Sequence, residues 1–146
     1  MKTEAAHELR ESTRVLSRYL ELLGRDQCCE GITLTQCHAI VEVGRGQGLM
    51  LKQLAHILML DTSTVSKAVD GLVRQGLLER VCADTDRRSI SISLSTQGWR
   101  LFEQIELAMS NRFARLLHTV NDEDCAMIIR ALKILNNAFE ADKTEG

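Results

Sequence analysis

Three features of the sequence predict a mainly α-helical fold with one small β-hairpin. Apolar residues recur at three- and four-residue intervals along most of the chain, as they do on the inner face of a helix. One stretch, SISISLS at residues 89–95, changes to strict alternation, the signature of a half-buried strand. The breaks between these patterns fall at glycine clusters, because the chain has no proline. At 146 residues a single domain is expected.

In chain order, Leu9, Val15, Leu16, Tyr19, Leu20 and Leu23 predict a first helix that stops near Gly24. A loop holding Cys28 and Cys29 follows. Thr33-Leu34-Thr35-Gln36 has the form of a capping box, and Ile40 and Val43 carry a second helix on to GRGQG. Leu51, Leu54, Ala55 and Leu58 predict a short third helix. Asp61 or Thr62 can then cap a fourth, with Val65, Ala68, Val69, Leu72 and Val73 on its inner side and Gly76 closing it. LLERVC and SISISLS flank the polar turn ADTDRR as a hairpin. Two helices with wide apolar faces complete the chain, one beyond Thr96 and one beyond Asn121. Terminal helices with this much apolar surface predict a dimer; packing back on the central part as a monomer is the alternative.

Short helix, tight turn, second helix, then a hairpin with arginines at its tip is the order of a winged helix-turn-helix. The fourth helix opens on the polar run Thr62, Ser63, Thr64, followed by Ser66 and Lys67, a surface suited to phosphates and base edges in a major groove. Arg87 and Arg88 at the hairpin tip are placed to reach the neighbouring minor groove, with Asp84 or Asp86 holding them. Taken singly, a charged hairpin tip or a polar helix face is more often plain solvated surface; their combination at this spacing favours DNA. Charge agrees. The net charge is −2, yet residues 51–100 hold seven Lys/Arg against five Asp/Glu, while the flanks hold 11 against 15. Met59 sits where such turns often place glycine. No phosphate-binding glycine loop or Cys-x-x-Cys motif is present, so an enzyme is not expected. A winged helix used only for protein interaction is the other class.

Along its whole length the chain resembles the MarR family of transcriptional regulators. ITLTQCHAIVEVG resembles that family's second helix, LKQLAHILMLDTSTVSKAVDGLVRQGLLER its helix-turn-helix, and DTDRRSISISLSTQG its wing running into the fifth helix. The resemblance implies a mainly α fold in which residues 33–95 form the winged helix-turn-helix lobe. Residues 1–32 and 96–146 would supply the dimerisation helices and a loop. It also implies an obligate homodimer on a pseudo-palindromic operator in double-stranded DNA, usually as a repressor relieved by an effector. Two recognition helices must then sit about one DNA turn, roughly 34 Å, apart.

The effector is sought in QCCEGITLTQCH, which gathers Cys28, Cys29, Cys37 and His38 within twelve residues. A charged start, MKTEAAHELRESTR, and the lack of an eighteen-residue apolar run predict neither leader nor membrane span, hence the cytoplasm, where thiols stay reduced. Three soft donors suit a thiophilic ion such as As(III), Cd(II) or Hg(II), and His38 would complete a Cys₃His site for Zn(II). Zinc-responsive members of the family use further histidines on the fifth helix, where this chain has Glu103 and Glu106, so zinc is the weaker choice. Oxidation of Cys37 resolved by Cys28 or Cys29, a small phenolic ligand, or simple packing are the alternatives. Cys82 reads as packing, and Cys125 is assigned no role.

Overall fold

The computed structural model describes residues 1–25, 31–83 and 86–145, without the side chains of Arg25, Ala83 and residues 86–89. The chain forms two compact units, Met1–Glu106 and Leu107–Gly146. The first contains α1 (Lys2–Arg25), α2 (Leu34–Gly46), β1 (Leu49–Met50), α3 (Leu51–Leu58), α4 (Thr62–Arg74), β2 (Leu78–Ala83) and β3 (Asp86–Leu94). Helix α5 (Thr96–Leu116) begins in the first unit and ends in the second, where a 3₁₀ turn (Leu117–Thr119) and α6 (Asp122–Glu145) follow.

The core of the first unit is made by the inner faces of α2, α3 and α4, the sheet and the opening turns of α5. Ile40, Val43, Leu54, Val65, Val69, Leu72, Leu78 and Ile105 are the largest fully buried side chains. Each contributes about 1.5–3 kcal/mol relative to an exposed position. The periodic positions named for α2 and α4 account for five of them, so periodicity located the core. Two helix starts also follow from the sequence. Thr33 forms the expected capping box: its hydroxyl accepts from the Gln36 N–H, and the Gln36 amide oxygen accepts from the Thr33 N–H at 3.1 Å. Asn121 caps α6, accepting from the Asp124 N–H at 2.8 Å.

The hairpin is part of a larger sheet than expected. Leu49 and Met50 add a two-residue strand opposite Ile92 and Ser91, giving the antiparallel order β1-β3-β2. Two residues carry no alternation, which is why the pattern could not disclose β1. The strand β3 also starts earlier than the alternation suggested. Its pairing jumps from Ile90 opposite Cys82 to Asp86 opposite Ala83, so Arg87 and Arg88 lie in a bulged part of the strand rather than in the turn. Cys82, read as packing, is exposed.

One junction ties the end of α4, the wing and α5 together. Gly76 takes φ +76, closing α4, and the Leu77 N–H returns to the Leu72 carbonyl at 2.9 Å. Ser95 then donates its hydroxyl to the Gly76 carbonyl at 2.6 Å, accepts from the Gly98 N–H at 3.0 Å, and donates its N–H to the Leu77 carbonyl at 3.1 Å. A Cβ on Gly98 would lie 2.1 Å from that Leu77 oxygen, so only glycine fits.

Gly98→Ala is therefore expected to destabilise the fold by about 3 kcal/mol or more, read as a lowered urea midpoint, because the obstacle is backbone and cannot rotate aside. Met59, which ends α3 in the left-handed region at φ +56, predicts the opposite sign. Met59→Gly is expected to raise stability by about 1 kcal/mol in the same measurement.

Candidate nucleic-acid interface

The position of the polar surface on α4 follows from its buried one. Val65, Ala68, Val69 and Leu72 face the core. At 3.6 residues per turn the remaining positions must point away from it. Thr62, Ser63, Thr64 and Lys67 are exposed and Ser66 is half-buried. The expected residues thus lie together on the N-terminal half of one helix.

Close approach to α2 fixes the direction of that helix. A Cβ on Gly71 would lie 2.6 Å from the Gln36 side-chain nitrogen, which donates to the Ala68 carbonyl at 3.5 Å. On the opposite edge, Arg80 of β2 pairs with Asp70 of α4, joining the helix to the wing. Both partners are exposed, so the pair contributes at most about 1 kcal/mol. The two residues are ten apart in the chain, and β2 packing beside α4 brings them together. Arg87 and Arg88 lie on β3, and their side chains, with Asp84 and that of Asp86, are outside the described residues.

Of the two capping candidates, Asp61 is the N-cap. Its Oδ1 accepts from the Thr64 N–H and from the Ser63 hydroxyl, each at 2.7 Å, and its Oδ2 accepts from the Thr64 hydroxyl at 2.9 Å. The Thr64 N–H contributes most to holding the carboxyl at a pKa of about 2 rather than 3.8, followed by the two hydroxyls.

Of the cysteine cluster, Cys28 and Cys29 lie outside the described residues. Cys37 is half-buried, packed beside the core on the first turn of α2, and His38 is exposed. Successive side chains leave a helix about 100° apart, so the two diverge. Among the described residues no three His, Cys, Asp or Glu side chains gather as a metal site. No helix among them is long and apolar enough to cross a membrane.

Folding lowers the Asp61 pKa, so the folded chain binds that proton less readily than the unfolded chain. The ionised cap therefore stabilises the fold above pH 3.8, and its contribution is lost as the pH falls towards about 2. Asp61→Asn, which resembles the protonated cap, is expected to be less stable than wild type at neutral pH. The urea midpoints of the two proteins should converge across that acid window.

Comparison with known proteins agrees with this geometry. The model of the MarR family matches residues 30–89, from the start of α2 into the wing. The transcriptional repressor MdtR of Bacillus subtilis is 24% identical over 116 residues, covering 80% of this chain and 75% of MdtR. A MarR family protein from Bacillus stearothermophilus has the same fold at a TM-score of 0.83 with 26% identity, over 96% of this chain and 99% of that one. FabT of Streptococcus pneumoniae, solved in complex with DNA, shares the fold at a TM-score of 0.75 and 20% identity, over 97% of this chain and 99% of its own. The family and these relatives are regulators rather than enzymes, in agreement with the expectation from the motifs. The helix-turn-helix and the three-stranded wing thus match the MarR family model over residues 30–89 and the fold of solved MarR family proteins over nearly the whole chain, and it is to that family that the chain is similar.

Proposed function

We propose that the protein is a homodimeric transcriptional repressor that binds a pseudo-palindromic operator through α4 and the wing. The observation that carries this reading is the exposed polar run at the start of α4, held at a fixed angle by a buried opposite face. FabT, which shares the fold, binds DNA in its crystal structure. Lys67 supplies a cation one turn into the helix, where it would meet a phosphate. Arg87 and Arg88, on the bulged strand, are the wing's candidates for the minor groove.

Dimerisation is supported by apolar surface in each unit. Helix α1 exposes Leu9, Leu16, Tyr19 and Leu20, and α6 exposes Met127, Ile128, Leu132 and Phe139. Side chains of this kind, left uncovered in such number, are the surface a second copy would bury. Two copies related by a two-fold axis would present two α4 helices to two half-sites.

As effector we propose a thiophilic ion, As(III), Cd(II) or Hg(II), held by Cys28, Cys29 and Cys37; Zn(II) comes behind because it would need His38 as a fourth donor, and His38 diverges from Cys37 on α2. The support is the clustering of soft donors in sequence together with the position of Cys37. Cys37 follows Gln36, the residue whose amide reaches the backbone of α4. A ligand drawn onto Cys37 would therefore act on the helix contact that aims the recognition surface. To move the population from 1% to 99% released, the ion must favour the released state by about 5.5 kcal/mol. Oxidation of the same thiols is the second reading, favoured by the place of Cys37 on the first turn of α2.

Two measurements test this function. In a mobility-shift titration Lys67→Ala is expected to weaken operator binding with the dimer intact, and to reduce the slope of log K against log salt by about 1. Binding unchanged in both respects would remove Lys67 from the interface. Titrating the bound complex with As(III), Cd(II), Zn(II) and peroxide is expected to release DNA with the soft ions. The single variants Cys28→Ser, Cys29→Ser and Cys37→Ser should then fail to respond. Release only by peroxide would favour oxidation, and equal release from all variants would exclude the cluster.

A further inference from the structure

We infer that Asp61 is a specificity-determining positioning residue: it fixes the hydroxyls of Ser63 and Thr64 as hydrogen-bond acceptors, so that the tip of α4 selects base edges that donate. This rests on the DNA-binding reading above and extends it from where the protein touches a duplex to what it reads there.

An ionised carboxylate can only accept hydrogen bonds. Ser63 Oγ lies 2.7 Å from Asp61 Oδ1 and Thr64 Oγ1 lies 2.9 Å from Oδ2, so in both contacts the hydroxyl must be the donor. Each hydroxyl carries one proton and two lone pairs, and its proton is directed at Asp61. What Ser63 and Thr64 turn outward is lone pairs. Both side chains are exposed, so those lone pairs are available to a partner. With its pKa held at about 2 by these same hydrogen bonds, Asp61 is ionised at neutral pH.

Two consequences follow for a helix tip in a major groove. Adenine N6 and cytosine N4 present amino donors there, whereas guanine N7 and O6 and thymine O4 present acceptors. Hydroxyls that offer only lone pairs, as those of Ser63 and Thr64 do here, pair with the first group and are repelled by the second. The same carboxylate also engages the Thr64 N–H and places a negative charge at the positive end of the helix dipole. Anion binding at that end is weakened, so the tip is suited to base edges, and phosphate contact passes to Lys67 one turn further along.

The test is selection of duplexes from a randomised library by the full-length protein, followed by sequencing of the bound fraction. Wild type, Asp61→Asn, Asp61→Ser and the double variant Ser63→Ala with Thr64→Val would be compared, with folding checked by circular dichroism. Asparagine and serine can each still accept from the Thr64 N–H and so keep the cap. Neither can hold both hydroxyls as donors. Wild type is expected to enrich adenine or cytosine at one contacted position in each half-site. Both Asp61 variants and the double variant should lose that preference by on the order of tenfold while keeping the rest of the motif. Unaltered base preference in folded Asp61→Asn and Asp61→Ser would overturn the inference. So would loss of the preference in the Asp61 variants with retention in the double variant, since Asp61 would then read the base itself. If wild type enriches no motif at all, the DNA-binding reading fails first, a result distinct from either of these.

Discussion

The distance of closest approach between α2 and α4 is the constraint on which the recognition surface depends. A Cβ on Gly71 would come within 2.6 Å of the Gln36 amide nitrogen and displace it from the Ala68 carbonyl that it reaches. With Val65, Val69 and Leu72 fully buried on that side, α4 has one rotational setting. A turn of the helix about its axis would expose apolar surface worth several kcal/mol, so Thr62, Ser63, Thr64 and Lys67 are held outward by what lies behind them. The polar tip is a consequence of packing as much as of its own composition.

Beyond the helix pair, polar groups are used sparingly and at junctions. Among the described residues no side-chain nitrogen or oxygen is buried without a partner, and no polar side chain belongs to the buried core. The work is done at ends of elements: Thr33 and Gln36 at α2, Asp61 at α4, Ser95 between the wing and α5, Asn121 at α6. Each satisfies backbone donors that the first turn of a helix leaves open. Asp61 does this while also ordering the side chains that follow it, so one residue serves both the stability of the helix and the character of its surface.

Helices and core were legible in the sequence because both are written in periodicity. The capping residue Thr33 and the closing Gly76 were legible too, since each residue type suits the backbone group it must satisfy or the φ it must adopt. Long-range features were not. Nothing in LM at residues 49–50 announces a strand, because the pairing partner is forty residues away. The need for glycine at 98 arises from the Leu77 backbone, and the tight fit at Gly71 from the Gln36 side chain, both distant in the chain. The exposed side of α4 was legible, but the hydrogen bonds that orient Ser63 and Thr64 depend on which neighbour caps the helix, and the sequence allowed either Asp61 or Thr62.

The small strand β1 bears on how such a protein can respond to a signal. By pairing Leu49 with Ile92 and Met50 with Ser91, it stitches the start of α3 to the middle strand of the wing. Since α3 also packs on α4, and α4 on β2, the helix pair and the wing belong to one continuous packed unit. A displacement of α2, which touches both α4 and β3, would therefore be felt by the helix tip and the wing together rather than by either alone.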